Sequence, residues 1–84
     1  MAGSTPALSQ HYSIYHCRDG SVVAAFFSQS TNSAYLDLDG RQVILPRRLS
    51  ADGSRYAQGG VTFWIKGRGA ALTRGRTTTQ CTTG

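Results

Sequence analysis

The chain has 84 residues, with nine Lys and Arg against four Asp and Glu for a net charge of +5. At this length it makes one domain that buries roughly 60–65% of the surface its unfolded form exposes, so a core by itself is marginal. No run of 18 or more apolar residues is present, which excludes a spanning helix, and ten glycines with abundant Ser and Thr favour strands and turns over helices.

Residues 1–10, MAGSTPALSQ, are small and polar and read as a flexible leader, with 11–84 as a single domain. No basic stretch followed by an apolar segment opens the chain, so the sequence reads as a mature or trimmed form. YSIYHC (12–17) predicts a strand with Ile14 and His16 on one face and Tyr15 and Cys17 on the other. An Asp19-Gly20 turn leads to VVAAFF (22–27), a continuous apolar run expected of a strand covered on both faces or curving into a barrel. AYLDL (34–38) and RQVILP (41–46) flank Asp39-Gly40, the signature of a type I′ hairpin that pairs Tyr35 across it. Pro46 is expected to end that strand, because it has no N–H to donate.

Further on, Asp52-Gly53 and Gly59-Gly60 bracket a short strand at Ser54–Ala57, followed by VTFWIK (61–66), AALTR (70–74) and TTTQC (77–81). Seven or eight short strands at intervals of about eight to ten residues predict an antiparallel barrel or sandwich. Cys17 and Cys81 sit near the two ends. A bond between them would close almost the whole chain and contribute roughly 4 kcal/mol, the alternative being two free buried thiols. The composition favours an exported, oxidising home.

Nothing in this pattern carries catalysis. Asp19, Asp39 and Asp52 each adjoin a turn glycine, where the carboxylate caps its own backbone. His11 and His16 flank the first strand, and His16 precedes Cys17, so the side chains face apart and make neither a metal site nor a Cys-His nucleophile pair. No glycine-rich loop joins a strand to a helix. The chain is therefore read as a non-enzyme without cofactors. Eight of the nine basic residues are Arg, a charge that suits a polyanionic partner or forms a solvated basic face. Phe26, Phe27, Phe63 and Trp64 lie in apolar runs and are expected in the core, so no nucleic-acid partner is expected.

One constellation is more specific. Tyr15-His16-Cys17, then Asp52-Gly53-Ser54-Arg55-Tyr56, six residues, Phe63-Trp64-Ile65-Lys66-Gly67, Ala70 and finally Cys81 resembles the MliC/PliC-type family of bacterial inhibitors of c-type lysozyme. That family has Tyr-x-Cys, Ser-Gly-x-x-Tyr, Phe-Trp-x-Lys-Gly and a last Cys. The resemblance implies an eight-stranded antiparallel β-barrel closed by a Cys17–Cys81 disulfide, and a periplasmic protein or an outer-membrane lipoprotein whose membrane link is a removed lipid anchor. It also implies an inhibitory surface of Lys66, Asp52, Gly53, Ser54, Tyr56 and Gly67, with Lys66 and the 52–56 loop inserted into the lysozyme cleft. Tyr56, Phe63 and Trp64 are expected to orient the loop and fill the core.

Two departures stand out. Asp52 occupies the family's Ser position, and an ionised Asp accepts hydrogen bonds only, so it is expected to repel lysozyme's carboxylates unless Ser50 or Ser54 supplies the hydroxyl or Asp52 pairs with Arg55 or an arginine of the enzyme. The +5 charge also opposes long-range attraction to a basic lysozyme. The alternative from another class is a non-inhibitory envelope module that binds an anionic polymer or nucleic acid through its arginines.

Overall fold

The computed structural model describes residues 12–83; the leader expected at 1–10 lies outside them. Eight strands follow in chain order: β1 (Tyr12–Cys17), β2 (Val22–Ser28), β3 (Ser33–Leu38), β4 (Arg41–Arg48), β5 (Ser54–Gln58), β6 (Val61–Lys66), β7 (Gly69–Arg74) and β8 (Thr77–Thr83). Each pairs antiparallel with its neighbours and β8 returns to β1, which closes an up-and-down barrel. Closure gives every strand a neighbour on both sides, though the β4–β5 and β1–β8 ladders are short, and so limits the free edge that otherwise exposes small β proteins to edge-to-edge association.

Alternation decides what lies inside. Tyr15, Cys17, Val23, Ala25, Leu36, Leu45, Tyr56, Phe63, Leu72 and Cys81 are buried, while Ile14 and Val22 point outward and are exposed. The apolar run of β2 thus curves into a barrel wall rather than being sandwiched. Phe63 is fully buried and meets Tyr15 edge to face at a centroid distance of 5.0 Å, a favoured aromatic geometry. Phe27 packs against the core and against Tyr56. Phe26 and Trp64, expected inside, lie on the outer face, because Phe27 and Phe63 next to them take the inward positions of a period-two strand. Phe26 stacks outside between Tyr12 and Tyr35.

The turns follow their glycines. Asp39 and Gly40 both take positive φ, 54° and 77°, as a type I′ hairpin requires, and Tyr35 pairs with Ile44 across it. Asp19 accepts the N–H and hydroxyl of Ser21 at 2.9 and 2.6 Å, which holds its carboxyl below the usual carboxylate range. Pro46 does not end β4, which runs on to Arg48. The Arg47 N–H points toward β3, donating to the Asn32 carbonyl at 2.9 Å, so the Pro46 nitrogen faces β5. The β4–β5 ladder begins only at Arg47, and the missing N–H therefore removes no bond.

Cys17 and Cys81 are direct partners across the β1–β8 seam and are joined by a disulfide spanning 64 residues. Reduction, or Cys17→Ala with Cys81→Ala, is expected to lower unfolding free energy by about 2–5 kcal/mol, read as a drop in the urea midpoint. A second expectation concerns Tyr15, whose hydroxyl is pushed up chiefly by burial and then by nearby Tyr56. The neutral phenol is favoured in the fold, so this contribution is intact below about pH 10 and is lost as pH rises through the folded value. Tyr15→Phe should flatten the alkaline limb of stability against pH, followed by circular dichroism.

Candidate functional site

Strand direction alternates around the barrel, so the loops at 29–32, 49–53 and 67–68 open at one end. The 49–53 loop there is held by four fixings. Gly53 has φ +68°, and a Cβ on it would run into the Ile65 carbonyl oxygen and lie 2.8 Å from Lys66 Cγ. Glycine is thus required twice, for its dihedral and for the close approach of the loop to the end of β6. Trp64 Nε1 donates to the Asp52 carbonyl at 3.0 Å, and Ser50 Oγ donates to the same oxygen. Arg55 reaches back from β5 and donates to the Leu49 carbonyl through Nη2 at 3.0 Å and Nε at 3.3 Å.

Lys66 closes β6, and Gly67, at φ 60°, begins the turn to β7. Its ammonium lies 3.6 Å from Asp52 Oδ2 and 4.8 Å from the centre of the Trp64 ring. Both ionised side chains stay open to solvent, at 58% for Lys66 and 68% for Asp52. The structure therefore pairs Asp52 with Lys66 and not with Arg55, whose guanidinium carbon lies over the Trp64 ring at 5.8 Å from its centre. Ser50 is committed to a loop carbonyl. Tyr56 is buried inside the barrel beside Phe27, not on the surface that carries Lys66 and Asp52.

Beside the pair runs a shallow hollow of about 270 Å³ walled by Trp64, Lys66 and Gln80 over the small residues Gly69 and Ala71. Charge is divided between the two ends of the barrel. This end carries Arg47, Arg48, Arg55, Lys66 and Arg68 against Asp52, while the other sets Arg18, Arg41, Arg74 and Arg76 against Asp19, Asp37 and Asp39, including an Arg74–Asp39 ion pair at 2.9 Å. No group of three or more metal-ligating side chains occurs among the described residues. What the site offers chemically is one exposed ammonium and one exposed carboxylate, 3.6 Å apart at one barrel end.

A family model described as membrane-bound lysozyme-inhibitor of c-type lysozyme matches residues 15–80. The chain belongs to this family. It is also 33% identical, over 60 residues, to a membrane-bound lysozyme inhibitor of C-type lysozyme from Yersinia enterocolitica, an alignment that covers 71% of this chain and 50% of that protein. The chain thus spans half the length of this curated relative. Within the family frame, Lys66, Asp52, Gly53 and Gly67 come together at one barrel end, and Ser54 opens β5 opposite Ile65. At this barrel end, the side chain expected in the core and found outside is Trp64. Strict alternation through VTFWIK separates it from buried Phe63 and would have put it outside, where it clasps the loop.

Gly53→Ala is expected to dislodge the loop from Ile65 and cost about 1–3 kcal/mol through backbone strain and displacement. Trp64→Phe, which keeps a ring but removes the indole donor, should cost about 1 kcal/mol. Thermal unfolding measures both, and hydrogen exchange of the 49–53 amides should speed up in each variant.

Proposed function

We propose that this chain is a protein inhibitor of a c-type lysozyme, acting by placing Lys66 and the Asp52–Tyr56 segment in the enzyme's cleft. The observation that carries this reading is that Lys66, at the Lys position of the family motif, is exposed yet fixed between Asp52 and Trp64. A c-type lysozyme works with two carboxyl groups, a general acid and a second that stays ionised. An ammonium set against the ionised one forms a charge-assisted bond, and the barrel edge behind it excludes both sugar and water. Inhibition then needs no chemistry from the chain, no metal and no cofactor.

Each residue has a part. Lys66 is the cation, Gly67 turns the chain away behind it, and Gly53 lets the loop approach β6 closely. Ser54 and Tyr56 fix the base of the segment, Tyr56 from inside the barrel. An envelope setting, periplasmic or through a lipid anchor on the outer membrane, fits the family and the disulfide. Because this barrel end is basic, long-range repulsion should slow approach to a basic enzyme, and the association rate should rise with salt.

The same cluster of Arg47, Arg48, Arg55 and Arg68 favours a second reading, in which the module binds an anionic envelope polymer; affinity would then fall steeply with added salt.

Inhibition of cell-wall lysis by a c-type lysozyme tests the first reading. Lys66→Ala, folded as judged by circular dichroism, is expected to weaken inhibition at least about thirtyfold, the loss of about 2 kcal/mol or more when one partner of a desolvated charge pair is removed. Equal inhibition by wild type and Lys66→Ala would remove Lys66 from the cleft.

A further inference from the structure

Asp52 cannot be left outside the contact that Lys66 makes. Its carbonyl is gripped by Ser50 and Trp64, Gly53 behind it is pressed onto the end of β6, and its carboxylate lies 3.6 Å from the Lys66 ammonium. Whatever recess receives Lys66 also receives a carboxylate. Against two ionised carboxylates this would be repulsive, but a retaining glycosidase does not present two. One of its carboxyl groups is held protonated as the general acid, with a pKa of about 6 in c-type lysozyme, while the other is ionised. The two lie about 5 Å apart, a span that the Asp52 and Lys66 side chains, 3.6 Å apart and both open to solvent, reach by spreading away from each other.

The complement is then direct. A carboxylate can only accept, and a protonated carboxyl has one O–H to give. Resting on the inhibitor reading above, we propose that Asp52 accepts the hydrogen bond of the lysozyme general acid while Lys66 pairs with its ionised partner, so the chain selects the singly protonated, working form of the enzyme. Binding is therefore conditional on pH. When the general acid ionises, Asp52 faces a like charge and the complex loosens; a Ser at this position, able to donate or accept, would not make that distinction.

The charged groups around Asp52 do not supply such a switch. They are Lys66 at the end of β6, Arg55 of β5 beside Trp64, and Arg47, Arg48 and Arg68 at the same barrel end, all lysine or arginine, and no second carboxylate accompanies Asp52 at that end among the described residues. His16 is the one imidazole among the described residues. It is on the Lys66 hydrogen-bonding row but separated from it by Gly69 and Thr82, and it is controlled for by His16→Gln.

The test is calorimetric titration of the oxidised full chain into a c-type lysozyme from pH 5 to 8, in pairs of buffers with different ionisation enthalpies. For wild type, Kd should rise above pH 6 by up to about tenfold per pH unit, and near pH 7 binding should take up close to one proton, because the general acid is protonated in the complex. Asp52→Ser and Asp52→Asn should bind with a Kd that is flat or falls with pH and with no proton uptake, and His16→Gln should keep the wild-type slope. Identical slopes and proton uptake in wild type and Asp52→Ser, tighter wild-type binding at higher pH, or loss of the slope in His16→Gln would each overturn the role of Asp52. Absence of binding by wild type and both Asp52 variants at every pH would instead overturn the inhibitor reading, and this proposal with it.

Discussion

Everything in this molecule depends on closure of the barrel between its first and last strands. The β1–β8 ladder is short, running from Tyr15 opposite Thr83 to Cys17 opposite Cys81, and the disulfide lies on its last rung. A chain of this size has little surplus stability, and an open seam would expose two strand edges at once. Closing it also fixes the register of β8 on β7 and of β7 on β6, with Lys66 opposite Gly69. The ammonium thus sits at a barrel edge whose position is set from both directions around the sheet.

The second constraint is the pleat. Because side chains alternate, the adjacent aromatics Phe63 and Trp64 serve opposite surfaces: one fills the barrel centre against Tyr15, the other lies outside under Lys66 and Arg55. Core and tip are therefore coupled through a single dipeptide. Trp64 holds the loop by its indole N–H and flanks the ammonium with its face, so the aromatic that looks like core in the sequence is the part that orders the recognition edge.

Much of this was legible in the residues. Glycine-marked turns and period-two runs located the strands to within a residue or two, since positive φ at Asp39-Gly40 and alternation in YSIYHC are local properties. The strand pattern alone left barrel and sandwich open, because that depends on whether β8 meets β1, a pairing that no local signal encodes; the family resemblance implied the barrel, and the structure has it. Pro46 was misread because its effect depends on which neighbour its nitrogen faces, and the late start of the β4–β5 ladder is a tertiary fact. The partner of Asp52 was hidden for the same reason: Lys66 is fourteen positions away and reaches it only because the 49–53 loop folds onto the end of β6.

The strength of the Asp52–Lys66 contact decides what it is for. An exposed ion pair contributes about 0–1 kcal/mol, and a lysine over an exposed indole about 0.5–1 kcal/mol; neither is large enough to withhold Lys66 from a partner. A desolvated charge pair in a cleft, by contrast, costs about 2–5 kcal/mol when one member is removed, much of it the penalty on the charge left unpaired, so on the proposed reading the internal contact is weak enough to be exchanged for a lysozyme carboxylate. What the internal contacts accomplish is order. Freezing a free lysine side chain costs up to about 2 kcal/mol, and a lysine already poised by Asp52 and Trp64 meets the cleft with much of that cost removed from the binding step. On the proposed reading, a weak pair in the free protein and a strong one in the complex are consistent with each other, because the same ammonium would move from a screened surface to an unscreened recess.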